Sequence, residues 1–394
     1  MNRIYFPNID EFKEKAKKYN LIPVYREILA DMETPVSAFH KINNGKYGFL
    51  LESVEKGETI GRYSFLGTNP SGIFKSNGKE IEIMGKKKKL TSGNPLSFLK
   101  KELLNFKVAP DNNLPGFIGG AIGYIGYDMV RFFEPVLIKQ KSTVLCFPDA
   151  MFMFCNSFII FDYLKRSMKI VQVAPIKDNP ETAYKLAIRE IESVISLLDK
   201  PVIKNTPCKL QTRIPSVKSN FSKTEFKNIV ATAKEYIKKG DIIKVVLSRI
   251  FQTEINIPSF NVYRALRTIN PSPYMFYLKI DNSSIIGSSP EILVTKTGNT
   301  VRIRPIAGTR ARGKTQQIDD KLARELLDDP KEKAEHIMLV DLARNDIGRV
   351  CKFGTVKVNE LMGIEKYSHV MHIVSDVTGE LAKGKDSFDV LKAC

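Results

Sequence analysis

The chain has 394 residues, 43% of them hydrophobic and 26% charged, and a formal charge of +18. That length implies one large domain or two, and the composition is that of an ordinary globular protein. Its longest apolar runs, residues 151–155 and 158–161, are too short to cross a membrane, and the N-terminus lacks a signal-peptide core, so no membrane association and a cytoplasmic location are expected.

In chain order, residues 9–19 read as an amphipathic helix, followed by a short second one over 23–31. Strand-like runs then follow at 36–39, 47–51, 63–66, 73–74 and 81–84, punctuated by Gly, Asn and Pro in the manner of an antiparallel, hairpin-rich sheet. Lys86–Lys89 reads as a solvated hairpin tip. It is the one dense basic run and no nucleic-acid motif accompanies it, so nucleic acid is not expected as a partner; the overall charge would draw a small anionic substrate. The glycine-dense stretch 116–128 fits no nucleotide-binding pattern and reads as close backbone packing. Residues 151–162 and 169–173 read as two more strands and precede a helix over 180–198. Residues 199–220 have no period and three prolines, which marks a linker.

After the linker, Ser222 and Glu225 form a capping box for a helix that ends at Gly240. Residues 242–251 read as a strand, 261–267 as a short helix, and 274–280, 284–287, 292–295 and 301–305 as strands. Asp329 and Pro330 open a further helix, which places Glu335, Met338, Leu339 and Leu342 on one face. A carboxylate in such a stripe needs a partner: a cation such as Arg344, a donor, or a metal. The last strand spans 369–377. The five cysteines, Cys146, Cys155, Cys208, Cys351 and Cys394, lack metal-ligand spacing and read as free thiols.

Gly308–Thr315 formally fits the phosphate-binding loop GxxxxGK[ST], but the strand before it carries outward arginines and ends in Pro305, two arginines interrupt the loop and Gln316-Gln317 follow it, so a nucleotide hydrolase stands only as an alternative. The turn at 288–291 delivers the carboxylate of Glu291. His369 and His372 lie three apart in a strand and face opposite ways, so they cannot chelate one metal. Two separated carboxylates, a strand histidine and the donors of the 308–310 loop suit elimination or substitution on an anionic small molecule. One carboxylate would help hold Mg²⁺, and the other would act as a general acid raised by burial.

The segments GSSPEILV (287–294), RPIAGTRARG (304–313), AEHIMLVDLARNDIGRV (334–350) and YSHVMHIVSDVTGEL (367–381) resemble the chorismate-utilising enzymes, and most nearly the anthranilate synthase large subunits. Residues 22–39, 50–67 and 119–128 agree with the same family. Ala307 stands where aminodeoxychorismate synthases carry a lysine, which favours the anthranilate branch; aminodeoxychorismate or isochorismate synthase is the alternative. The resemblance implies an α+β fold of large, mostly antiparallel sheets in a sandwich with outer helices. It implies an N-terminal domain over 1–198, the linker 199–220, and a chorismate-binding domain over 221–394. Chorismate and ammonia would give anthranilate and pyruvate with Mg²⁺, the ammonia coming from a separate glutamine amidotransferase subunit in a heterodimer or heterotetramer.

By the same resemblance Glu291 is the general acid, His372 the active-site histidine, Gly308 and Thr309 line the substrate pocket, and Glu335 is a Mg²⁺ ligand. Tryptophan feedback would use Glu52, Ser53, Arg62, Pro273, Tyr274 and Met275. Lys244 departs from an expected glutamine. The family continues beyond the segment ending at Cys394, so a truncated catalytic domain is expected, with an inactive amino-acid-binding fragment as the remaining alternative.

Overall fold

The computed structural model describes residues 4–53, 61–89, 93–137, 147–177, 179–202, 215–367 and 369–394; Cys146 and Cys208 lie outside them. The strands are β1 (Leu21–Leu29), β2 (Tyr47–Glu52), β3 (Tyr63–Thr68), β4 (Gly72–Asn77), β5 (Glu80–Ile83), β6 (Lys86–Lys89), β7 (Gly120–Ile125), β8 (Ala150–Cys155), β9 (Ser157–Asp162), β10 (Ser167–Pro175), β11 (Lys218–Ser219), β12 (Phe251–Gln252), β13 (Tyr274–Ile280), β14 (Ser283–Ser289), β15 (Thr295–Thr297), β16 (Thr300–Ile303), β17 (Ile306–Ala311), β18 (Lys357–Lys366) and β19 (Val370–Glu380). The α-helices are α1 (Ile9–Ala16), α2 (Pro35–Ile42), α3 (Leu96–Leu104), α4 (Pro180–Leu198), α5 (Lys223–Lys239), α6 (Ser259–Ile269), α7 (Gln316–Asp328), α8 (Pro330–Gly348) and α9 (Ser387–Ala393).

The chain divides into a unit of residues 1–202 with 263–394 and a unit of residues 203–262. The described residues of the first unit form three sheets. The largest has the order β1-β10-β9-β3-β2-β13-β14. Its β13 pairs with β2, Met275 opposite Glu52, so strands from both ends of the chain complete one sheet. A division by sequence order into 1–198 and 221–394 does not follow these hydrogen bonds. The second sheet, β6-β5-β4-β8-β7, packs against the first through Met151 and Met153, which meet Phe49, Phe158, Val171 and Leu278 in one apolar cluster. Helices α1, α2 and α4 pack along the large sheet and bury Phe12, Phe39 and Ile191.

The third sheet runs β15-β16-β19-β17, with β18 also on β19. Strand β19 alternates. Met371, Ile373 and Val377 are buried in clusters with Leu326 of α7 and with Val340, Ala343 and Ile347 of α8, while His372, Val374 and Asp376 take the opposite face. Strand pairs within the sheets are antiparallel throughout the described residues, so the fold is α+β, antiparallel sheets in layers with helices outside.

Several local expectations change. Residues 23–31, expected as helix, lie mostly in β1, whose place at the sheet edge tolerates Pro23. Residues 36–39, expected as strand, lie in α2, where Thr34 caps, Pro35 opens the helix and Ser37 closes a capping box. The lysine run is itself edge strand β6, and the tip of its hairpin is Met84-Gly85.

In the smaller unit, Ser222 accepts from the Glu225 amide at 3.2 Å while Glu225 accepts from the Ser222 amide at 2.7 Å, starting α5. Gly240 ends it with φ at 77°. The strand expected over 242–251 reduces to Phe251–Gln252 paired with Lys218–Ser219, and Ile243 and Val246 are 79% and 83% exposed.

Candidate active site

The site begins with a slip in register. Between Ala307 and Thr309 the pairing of β17 with β19 shifts, and Gly308 takes up the extra residue at φ 65°. A Cβ here would stand 3.0 Å from Leu326 Cδ1, 3.2 Å from Glu332 Oε2 and 3.3 Å from Ile373 Cδ1. The bulge turns the Gly308 carbonyl toward His372, whose Nδ1 lies 2.9 Å from it and 3.1 Å from Thr309 Oγ1. A carbonyl oxygen only accepts, so Nδ1 carries a proton and Nε2 is the ring nitrogen turned away from this contact. Gly308, Thr309 and His372, all anticipated from sequence, are thus in direct contact.

On the other side of β19, Glu365 of β18 stands directly opposite His372. Tyr367 follows two residues later, its ring centroid 5.4 Å from that of His372 at an interplanar angle of 62°. The Tyr367 hydroxyl donates to Glu365 Oε2 at 2.8 Å, and Arg304 Nη2 pairs with the other oxygen. Sequence reasoning missed Glu365 and Tyr367, which the register of β18 brings beside His372, and Arg304, which pairs with Glu365.

Helix α8 is tied to this region at its start. Asp329 accepts from the amides of Lys331 and Glu332 at 3.0 and 3.2 Å, and from Arg310 Nη2 of β17 at 3.0 Å. The amide of Glu332 and these further donors hold its carboxyl below the usual range. Glu335 is half-buried. The buried face of α8 is His336, Val340, Ala343 and Ile347, not the stripe expected through Leu339 and Leu342; Leu342 is 54% exposed. The apolar residues of this helix circle it, and the fit onto β16, β17 and β19 selects the face through the fully buried His336, whose Nε2 is 2.6 Å from Ser375 Oγ.

Glu291 follows β14 and is exposed. Its amide donates to Ser289 Oγ at 3.2 Å, and that hydroxyl donates to the Glu291 carbonyl at 3.0 Å. The burial expected to raise a general acid is therefore not provided here by these surroundings.

The formal phosphate-binding loop is something else. Its first half is strand β17, and its second half caps α7 through Thr315. The Gly313 amide donates to Asp319 Oδ1 at 2.5 Å, and Arg312 grips the same carboxylate at 2.6 to 3.2 Å. The Gly313 amide, one of those a phosphate would need, already holds an aspartate.

Glu52, Ser53, Pro273, Tyr274, Met275 and Arg62 fall at one end of the adjacent strands β3, β2 and β13. The Glu52 carboxylate is buried and accepts from Tyr263 Oη at 2.6 Å and from Arg267 Nε at 3.1 and 3.2 Å. Positions 263 and 267 share a face of α6, a helical-spacing signal that sequence reasoning did not use. Met275 and Pro273 are buried, and burial pushes the Tyr274 phenol upward. Arg62 instead grips Asp162, at 2.9 and 3.2 Å.

Among the described residues no three His, Cys, Asp or Glu side chains cluster as a metal cage. Mg²⁺ needs only one or two carboxylates, with waters and substrate completing its shell. Glu335 and Glu332, three apart on α8, fit that demand. No helix among the described residues is long and apolar enough to cross a membrane.

The profile of the chorismate binding enzymes matches residues 47–394. The chain belongs to that family. Its relatives include anthranilate synthase component 1 of Acetivibrio thermocellus, 45% identical over 398 residues and covering 98% of this chain and 80% of that protein. The component 1 of Synechocystis sp. is 44% identical, with the same coverage. The crystal structure of anthranilate synthase component I from Streptococcus pneumoniae superposes with a TM-score of 0.72 at 32% identity, covering 93% of this chain and 78% of that one. The isochorismate synthase MenF of Escherichia coli, at 16% identity and a TM-score of 0.65, shares the fold.

Proposed function

We propose that this chain converts chorismate and ammonia to anthranilate and pyruvate, as the first step toward tryptophan, in the cytoplasm. The observation that carries this is the 45% identity to an anthranilate synthase component 1 over nearly the whole chain. The grouping of Gly308, Thr309 and His372 supports it. Ala307, lacking an amine, supports this branch over the lysine-bearing one.

In this reading Gly308 and Thr309 line the substrate pocket. His372, its Nδ1 proton engaged, meets the substrate through Nε2, where it can take or return the proton moved during pyruvate loss. Glu291 protonates the departing ring hydroxyl, and substrate binding would enclose it. Glu335, with Glu332 beside it, would hold Mg²⁺, which when bound neutralises a substrate carboxylate. Ammonia comes from a glutamine amidotransferase subunit, with which the chain forms a heterodimer or heterotetramer. Tryptophan binds near Glu52, Ser53, Arg62, Pro273, Tyr274 and Met275 and lowers activity.

The test is anthranilate fluorescence from purified protein given chorismate, Mg²⁺ and ammonium, with and without tryptophan. Signal that tryptophan suppresses is expected. Isochorismate or aminodeoxychorismate as the product would overturn the assignment.

A further inference from the structure

We propose that Glu365 and Tyr367 are positioning residues that fix the plane of the His372 ring. This rests on the reading of His372 as the group that meets the substrate. The two acceptors at Nδ1, 2.9 and 3.1 Å away, fix one vertex of the imidazole. Nδ1 lies off the Cβ–Cγ axis, so these two bonds set χ2, but hydrogen bonds tolerate tens of degrees of misalignment and leave the broad χ2 torsion room to swing Nε2. A second contact on the ring removes that freedom, and Tyr367 provides it at 5.4 Å and 62°.

Tyr367 is fixed in turn. Its hydroxyl donates to Glu365 at 2.8 Å, its amide donates to the Val370 carbonyl at 2.8 Å, and its own carbonyl accepts from Arg312 Nη1 at 2.6 Å. Glu365 has one oxygen on Tyr367 and the other on Arg304, so its carboxylate is committed to holding neighbours. The row Thr309, His372, Glu365 runs straight across β17, β19 and β18, which places all three side chains on one face. That face is opposite the one β19 turns to α7 and α8, so the apolar core does not require these polar groups. The arrangement aims Nε2, and a small error in aim costs rate far more than binding.

The test uses the full chain with its four histidines labelled with ¹⁵N, the His372 ring being followed by long-range ¹H–¹⁵N correlation. Wild-type protein should show a single Nδ1–H tautomer for His372. Tyr367→Leu should keep the Nδ1–H tautomer, which the Gly308 carbonyl holds, but give a mobile ring. Tyr367→Phe, which keeps the ring contact, should fall between them, and it stands in for the leucine variant should that one not fold. In the anthranilate assay Tyr367→Leu should lower kcat roughly tenfold to a hundredfold while KM for chorismate stays within about twofold. Glu365→Gln still accepts from the Tyr367 hydroxyl and should rescue most of the ring order. A His372 ring unchanged in the Tyr367 variants would overturn the proposal, whatever the activity. A ring released by Tyr367→Leu in a protein that makes no anthranilate would instead sink the proposed reaction and leave the positioning intact.

Discussion

Tyr263 donates a 2.6 Å hydrogen bond to the carboxylate of Glu52, although the two lie 211 positions apart in the chain. The bond, with Arg267 on the same carboxylate, joins α6 to β2. Burial and the facing carboxylate both push the Tyr263 phenol upward, so it stays protonated and keeps donating through the alkaline range. Tyr263→Phe deletes one bond to a buried carboxylate and should lower stability by about 2 kcal/mol. The denaturation midpoint in urea measures it, and an unchanged midpoint would show that the bond contributes nothing.

Gly308→Ala tests the bulge. Alanine at a φ of 65° carries strain of about 1 kcal/mol, and its Cβ would press on Leu326, Glu332 and Ile373. The carbonyl that holds His372 would move with it. The expected result is a stability loss of about 1–3 kcal/mol together with a drop in kcat at least tenfold, read by calorimetry and the fluorescence assay.

Gly123 is a packing glycine with no tolerance. A Cβ there would lie 1.8 Å from the Met151 carbonyl oxygen on the neighbouring strand β8. Backbone cannot give way as a side chain does, so Gly123→Ala should cost about 3 kcal/mol or more and leave little folded protein at 37 °C. Normal yield and circular dichroism from this variant would refute the close approach.

The Arg312–Asp319 clamp gives an acid-dependent contribution. Arg312 and the Gly313 amide hold the Asp319 carboxyl below its ordinary value of 3.8. In the unfolded chain the carboxylate binds a proton at higher pH than it does in the folded one, so the stabilisation is complete above the unfolded value and fades as pH falls through the folded one. Asp319→Asn should therefore lose stability at neutral pH and show a shallower decline below about pH 4 than the parent. Parallel curves for the two proteins would show that Asp319 has no such shift.

What the sequence conveyed depended on how local each signal was. The Ser222–Glu225 box and the Pro180–Leu198 helix are local, and both appear as expected. The edge strands β1 and β6 were misread because edges break the usual pattern: Pro23 in one looked like a helix start, and unbroken lysines in the other looked like a turn. The buried face of α8 was misjudged because a histidine was not counted as an interior residue, yet His336 is fully buried against Ser375. In the candidate site, the contact of His372 with Gly308 and Thr309 joins two of the family motifs. Arg304 and Tyr367 lie within quoted motifs, yet their contacts with Glu365 could not be read there, since these depend on strand register between distant segments.

The pairing of β13 with β2 also governs how this protein tolerates being made in pieces. Residues 1–198 expressed alone would leave the strand Tyr47–Glu52 with one side unpaired, presenting a row of amide and carbonyl groups along a largely apolar ribbon. Such a product should recruit copies of itself and precipitate. Supplying residues 263–394 in the same cell would offer β13 as the missing neighbour, so solubility of the first piece becomes a direct readout of complementation by the second.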